Sequence, residues 1–302
     1  MHVTAYASAS EFLQAAGAWL EREEALNGLM LGLSARLAGQ DKPSDPQPVM
    51  MTASGAAGLA AACLQTSPQR PVVLYAPGVG SPANEQDAAA LDALVEAMQA
   101  DGHEVCQCVG PSSASLALAD LWTKRTGGTF KLLMGQRIYE LREVTAPTGV
   151  SGTARYAGPG DLDLVVDWQH RFAADIGELG HAPASREMVR EQYVAGRHTL
   201  LWEDDGQPVS MAIATRPTRR GIAIGGVYTP PQCRRRGYAS ACVAELSHRL
   251  LDAGREFCCL YTDASNATSN RIYRKIGYKL LAESSHYAFV EETHRESGDH
   301  PG

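Results

Sequence analysis

Ile222-Ala-Ile-Gly-Gly-Val-Tyr-Thr229 is followed by Pro230-Pro231 and then by Gln232-Cys-Arg-Arg-Arg-Gly-Tyr-Ala-Ser240. The first run is apolar and strand-like. The prolines end it, because they bring no N–H to a sheet ladder. Beyond Gly237, the apolar residues Ala239, Cys242, Val243, Leu246 and Leu250 recur at helical spacing and predict a helix from about Tyr238 to Ala253 with one buried face. A strand, a tight glycine turn and a helix N-terminus therefore meet here. The N–H groups from about Arg235 to Ser240 have no intrahelical partner and point outward. A diphosphate accepts from several of them at once, at roughly 1.5–3 kcal/mol per charge-assisted bond. The helix dipole adds up to about 1 kcal/mol.

A second block follows: Tyr261-Thr-Asp-Ala-Ser-Asn266-Ala-Thr-Ser-Asn270-Arg-Ile-Tyr273-Arg-Lys-Ile-Gly277-Tyr278. The run Phe257–Thr262 before and into it is a buried strand bounded by Arg255-Glu256 and by the polar turn at Asp263. Ser265 or Asn266 caps the next helix; Ile272, Tyr273 and Ile276 form its inward stripe; Gly277 ends it.

Arg234-x-x-Gly237-x-Ala239 resembles the pyrophosphate-binding signature of the GNAT N-acetyltransferase superfamily, and the second block resembles that superfamily's next strand and helix. The resemblance covers roughly 152–289. It implies an α/β (α+β) fold with a mixed sheet flanked by helices, and acetyl-CoA as co-substrate. It also implies a cofactor site formed by Val227, Tyr228, Thr229, Arg234, Arg235, Arg236, Gly237, Tyr238, Ala239, Ser240, Asn266 and Ser269. Gly226 to Thr229 would hold the pantetheine arm and polarise the thioester carbonyl through an N–H. Tyr273 would be the general acid that protonates the leaving thiolate, with core packing as its plainer role. For Asn266 a pantetheine contact and a simple helix cap are both open.

The remaining chain repeats the same order of elements. Helices are expected over 9–38, a loop at 40–48, strands near 49–54, 59–64 and 72–75, and a helix at 84–100. A strand at 103–109, a helix at 114–124 and strand-like runs at 131–134 and 138–144 complete the first half. The second half shows helices near 161–176 and 185–195 and strands near 199–203, 209–215 and 222–229, with hairpin turns at Asp205-Gly206 and Arg219-Arg220-Gly221. Two tandem copies of one fold are expected: a degenerate N-terminal domain over 1–150, a catalytic domain over 151–290, and a polar, disordered tail over 291–302. The first copy reads Ala76-Pro-Gly78-Val-Gly80-Ser-Pro-Ala-Asn84 where the signature belongs, lacks its arginine and has no tyrosine at the place matching Tyr273. Gly78-Val-Gly80 also lacks the third glycine and the distal acid of a dinucleotide site.

Composition narrows the classes further. A net charge of -7 argues against a nucleic-acid binder, which needs a basic face, and the one dense basic run, Arg234-Arg235-Arg236, belongs to the phosphate loop. No apolar run approaches the roughly 20 residues that span a bilayer, and no signal sequence is evident, so a cytoplasmic protein is expected, as a monomer or homodimer. The 7 cysteines have spacing that suits neither zinc nor disulfides. Cys106 and Cys108 fall on one face of an expected strand and Cys258-Cys259 lie inside another, all as small apolar residues.

Acyl transfer to an amine needs the neutral amine, which at pH 7 is about one part in 10³ of a lysine-like group. The strand 222–229 carries no acid to take its proton. Glu203, Asp204, Asp205, Asp263, His286 and a water relay all remain open. The acceptor is an amine, small molecule or peptide. Small molecules suit the bacterial tandem proteins that the chain resembles, and the acidic chain weakly favours a cationic one. The alternative is an acetyl-CoA-binding sensor or scaffold without turnover.

Overall fold

Backbone packing divides the chain into two units in the computed structural model, which describes residues 1–40, 45–79, 85–176, 185–196 and 198–290. The first unit contains 1–22, 33–136 and, among the described residues, 283–290; the second contains 23–32 and 137–282. The parts of the expected 40–48 loop at 41–44, of the Gly78 loop at 80–84, and the tail at 291–302 lie outside the described residues.

In chain order the first half runs β1 (His2–Ala5), α1 (Ala9–Leu20), α2 (Gly28–Ala38), β2 (Val49–Gly55), β3 (Gly58–Gln65), β4 (Val72–Tyr75), α3 (Glu85–Ala100), β5 (Gln107–Pro111), α4 (Ser112–Thr126) and β6 (Thr129–Leu141). The second half repeats that order. It runs β7 (Thr153–Tyr156), α5 (Leu162–Asp175), α6 (Arg186–Met188) continuing as a π-helical segment (Val189–Ala195), β8 (Thr199–Asp204), β9 (Gln207–Pro217), β10 (Gly221–Tyr228), α7 (Tyr238–Asp252), β11 (Phe257–Asp263), α8 (Ala267–Ile276) and β12 (Lys279–Val290).

The first unit's sheet pairs β1 to β4 antiparallel in succession, and β4 runs parallel to β5. Its outer neighbour comes from the end of the chain: β12 pairs antiparallel with β5 from Ser284↔Pro111 to Ala288↔Gln107. Leu91, Leu94, Val95 and Met98 of α3 pack with Leu74 and Leu118 in its core. The second unit's sheet runs β7-β8-β9-β10-β11 and is continued beside β11 by β6. There α7 buries Cys242, Val243 and Leu246 against Leu200, Ala212 and Ile224. The helical period read beyond Gly237 therefore supplies that core.

Several elements differ from expectation. β1 and β7 are too short to show a period. The strand expected at 103–109 is β5 at 107–111, so Cys106 precedes it and bonds the Pro68 carbonyl through Sγ (3.0 Å), while Cys108 is fully buried. The two runs around 131–144 are one 13-residue strand, β6. The compact units change over at Gln136/Arg137, inside that strand. No helix among the described residues is long and apolar enough to cross a membrane.

Candidate active site

In the second unit, β10 and β11 begin as parallel neighbours and then part. Their ladder runs from Gly221↔Phe257 to Ala223↔Cys259, although both strands continue for several residues. On its other edge β10 loses register with β9 between Gly225 and Tyr228. Gly226 supplies this bulge, since its φ of +56° suits glycine, and a Cβ there would stand 2.9 Å from both Gln169 Nε2 and Ile213 Cδ1. Gly226 and Val227 thereby have no register partner on either β9 or β11, and they stand where β10 has parted from β11.

The chain leaves β10 through Pro230 and a short 3-10 turn, Pro231–Cys233, and enters α7 through two left-handed residues, Arg235 (φ +65°) and Gly237 (φ +88°). Gly237 caps α7 without any side-chain hydrogen bond, and the N–H groups from Arg235 through Ser240 have no partner among the described residues. Unpartnered donors at a helix N-terminus are an arrangement suited to an anion such as phosphate. A Cβ at Gly237 would stand 2.8 Å from Val150 Cγ2, so only glycine fits this turn.

The expected cofactor residues divide by what they already do. Arg234 donates from Nε to the Thr229 carbonyl (2.9 Å) and from Nη2 to Asp175 (2.5 Å), so its guanidinium fastens the loop to the end of α5. Tyr238 is buried and bonds Asp204, holding the first turn of α7 in place. That bond, then Ser151, then the nearby Arg236 charge, hold the Asp204 carboxyl below its usual range. The Tyr228 ring packs on Trp168 at 5.7 Å, which leaves only its backbone for a ligand. Thr229 shares its hydroxyl with Ser210 (2.8 Å). Arg235 and Arg236 are exposed beside the free N–H groups, and Ala239 and Ser240 stand in the first turn.

Tyr273 lies on α8 in the same core cluster as Ile224, with Val227 packed against that cluster. Its ring is 8% exposed and sits 6.4 Å from Tyr139 and 5.9 Å from Tyr278. Its hydroxyl bonds no described residue, yet it is not among the sealed orphan polar atoms. Burial pushes the phenol up to about 12. Asn266 is the cap of α8, its Oδ1 accepting from Ser269 N–H at 3.0 Å. Any contact with a cofactor thus falls to its Nδ2 and to the Ser269 hydroxyl.

Asn270 was missed by the sequence reading. It is 3% exposed, accepts from the Tyr139 hydroxyl (3.0 Å), and donates from Nδ2 to the carbonyls of Asp263 (2.9 Å) and Asn266 (2.7 Å). It ties β11 and β6 to α8 one turn before Tyr273 and so fixes where that phenol stands. The i, i+3 spacing from Asn270 to Tyr273 was the available signal: a polar residue on an inward stripe needs a partner.

Each candidate proton acceptor but one is already engaged. Glu203 bonds Arg155 (2.9 Å), Asp204 bonds Tyr238, Asp263 accepts from the N–H and hydroxyl of Ser265 (2.7 Å each), and His286 bonds Gln107 (2.8 Å). Asp205 stands exposed at the hairpin tip with φ +49°. The cysteines are free thiols, and burial pushes Cys63, Cys108, Cys258 and Cys259 up to about 12, so they serve as core residues.

In the first unit the corresponding turn follows β4, and Gly78 N–H donates to the carboxylate of Asp87 on α3 at 2.6 Å. Asp87 is 5% exposed, and α3 also opens with Glu85. An acid of the chain's own occupies the donor and repels an incoming anion.

Residues 205–288 match the family model described as FR47-like protein. No curated protein matches in sequence. Solved structures share the fold at low identity. An acetyltransferase of the GNAT family from Colwellia psychrerythraea has a TM-score of 0.56 at 12% identity, over 97% of this chain and 100% of that one. A GCN5-related N-acetyltransferase from Sphaerobacter thermophilus has a TM-score of 0.55 at 19% identity, over 96% and 95%. A tandem GNAT protein from the clavulanic acid biosynthesis pathway has a TM-score of 0.52 at 12% identity, over 96% and 98%.

Proposed function

We propose that this chain, which has the GNAT fold in tandem, is an N-acetyltransferase that moves an acetyl group from acetyl-CoA to a primary amine, with one working site in its second unit. The observation that carries this is the run of unpartnered N–H groups from Arg235 through Ser240, on the chain that follows the parting of β10 from β11. A diphosphate fits the first feature and a narrow thioester arm fits the second.

Acetyl-CoA, when bound, supplies an activated acetyl thioester. The N–H groups from Arg235 to Ser240 would hold its phosphates, with Arg235 and Arg236 adding positive charge. Gly226 and Val227, without a register partner on either side, would bond the arm, and an N–H of this pair would polarise the carbonyl. The amine nitrogen forms the new N–C bond as the C–S bond breaks. Tyr273 would give its proton to the departing sulfur and regain one from solvent. The proton leaving the nitrogen goes to water, since the acids around the site are engaged or lie exposed at a turn.

Thiol release from acetyl-CoA with a panel of amines tests this. With no enzyme base, kcat/KM rises tenfold per pH unit until the acceptor's own amine is neutral, so the break moves from one acceptor to another with the amine pKa. A break at one pH for every acceptor would point to a base on the protein. Absence of amine-dependent thiol release, with acetyl-CoA still bound, would support a sensor or scaffold instead.

A further inference from the structure

One face of the second unit's sheet carries Ile213 and Thr215 of β9, Ala223 and Gly225 of β10, and Cys259 and Tyr261 of β11, because paired and alternate residues share a face. Helix α5 covers one end of it, with Trp168 and Val165 on Met211 and Tyr228. Ala25, from the 23–32 segment, covers Ala223, Phe257 and Cys259 at the other. The same segment reaches Cys259 and Arg216 through Gly28 and Gly32 and takes the Tyr261 hydroxyl on the Leu26 carbonyl (3.0 Å). The stretch of the face without side chains therefore lies between the two covers at Gly225 and Gly226. A Cβ on Gly225 would stand 3.8 Å from Thr215 Oγ1, and one on Gly226 would stand 2.9 Å from Gln169 Nε2.

The polar groups along this strip are unmatched. The Gln169 carboxamide has no hydrogen-bond partner among the described residues. Thr215 Oγ1 and Arg216 Nε are both buried without one. Arg216 is held at φ +45°, outside the strand conformation, with its Cβ 2.7 Å from where a Cβ of Gly32 would stand. Its guanidinium lies over the Tyr261 ring at 5.8 Å and forms no ion pair among the described residues. The acids whose charge reaches the same patch are taken: Glu24 by Arg220 (2.6 Å) and Glu140 by Arg142 (2.7 Å). A buried, unbonded guanidinium Nε and, on the preceding residue, a buried orphan hydroxyl leave two donors that the anionic group of a ligand would satisfy.

We propose that this strip binds the acceptor, in the transferase reaction proposed above, and that the acceptor is a small amine bearing a carboxylate, of the amino acid class. Arg216 pairs with the carboxylate and Thr215 donates its hydroxyl to it. The Gln169 carboxamide holds the remainder of the molecule over Gly225 and Gly226. The weak expectation of a cationic acceptor, drawn from net charge, gives way here to a local cation.

The test uses matched pairs, each an amino acid and its decarboxylated amine: L-phenylalanine with 2-phenylethylamine, L-lysine with cadaverine, L-tryptophan with tryptamine. Binding is read by calorimetry without cofactor, and turnover by thiol release with acetyl-CoA. In at least one pair the amino acid is expected to bind about 10- to 100-fold more tightly. Arg216→Gln should remove the preference and Arg216→Lys should keep part of it. Thr215→Val gives a second variant should Arg216→Gln fail to fold, and it should weaken only the amino acid of each pair. Equal or better binding of the decarboxylated amines by the unaltered protein overturns the proposal, as does a preference that survives Arg216→Gln. If acetyl-CoA binds but no amino acid does, the proposal falls and the cofactor site stands. If acetyl-CoA does not bind, the transferase reading falls as well.

Discussion

At Tyr273 burial keeps the proton on the phenol across the working pH range, since it pushes the group up to about 12. Handing that proton to a free thiolate of pKa near 8.5 is uphill by roughly 5 kcal/mol, so the transfer helps only while the C–S bond is breaking. Tyr273→Phe is therefore expected to lower kcat by about 10²-fold, at the low end of general acid effects, with acetyl-CoA affinity kept. Unchanged kcat would leave Tyr273 a packing residue. The sequence pointed to this position through its motif but did not show its surroundings, since Tyr139 is 131 residues away from its partner Asn270. Arg234 shows the opposite limit. Its motif suggests a phosphate contact, whereas its ties to Thr229 and Asp175 depend on how the loop folds back on α5.

Among the elements, the strand, glycine turn and helix at 222–253 were legible because proline, glycine and helical periodicity act locally. The parting of β10 from β11 was not, since it depends on which strand lies alongside. The 23–32 segment was also hidden, because it joins the second unit through contacts that no local motif announces: Ala25 on Ala223, Phe257 and Cys259, the Leu26 carbonyl on the Tyr261 hydroxyl, and one buried acid. Glu24 is 3% exposed and accepts from the Thr218 hydroxyl (2.6 Å), Arg220 N–H (2.7 Å) and Nε (2.6 Å), and Gly221 N–H (3.2 Å). Burial raises its carboxyl, but these donors outweigh burial and hold it below the ordinary value of 4.5. A depressed folded-state pKa stabilises above the unfolded value and is lost as pH falls through the folded one. Glu24→Gln should then cost about 2–4 kcal/mol near pH 7, measured by urea unfolding, and the gap to the unaltered protein should narrow as pH falls below the ordinary value of 4.5. A gap that stays constant with pH would show that the carboxylate charge contributes nothing.

At the scale of the whole molecule, the repeated order of elements was readable from periodicity, but the exchange of strands was not. A strand's partner is not encoded in its own period. The first unit needs residues from Glu283 onward, where β12 pairs with β5, Phe289 meets Trp122 at 6.0 Å and Tyr287 meets Phe130 at 5.4 Å. Ending the chain after Ala282 removes that pairing and the packing of two half-buried aromatics, each worth less than the roughly 1.5–3 kcal/mol of a fully buried side chain. Amide exchange in β4 and β5 should then become fast. Retained protection there would show that the first unit is complete without the chain's end. The two units also differ at the turn before the helix, since Asp87 closes that of the first while the N–H groups at α7 leave the second open. Calorimetric titration with acetyl-CoA, on the unaltered chain and on Ala239→Glu, tests this directly. A glutamate in the first turn suits the helix dipole and should preserve the fold, while its charge competes with the phosphates. One site in the unaltered chain, lost in Ala239→Glu with thermal stability kept, is the predicted result; two sites, or no binding at all, would contradict it.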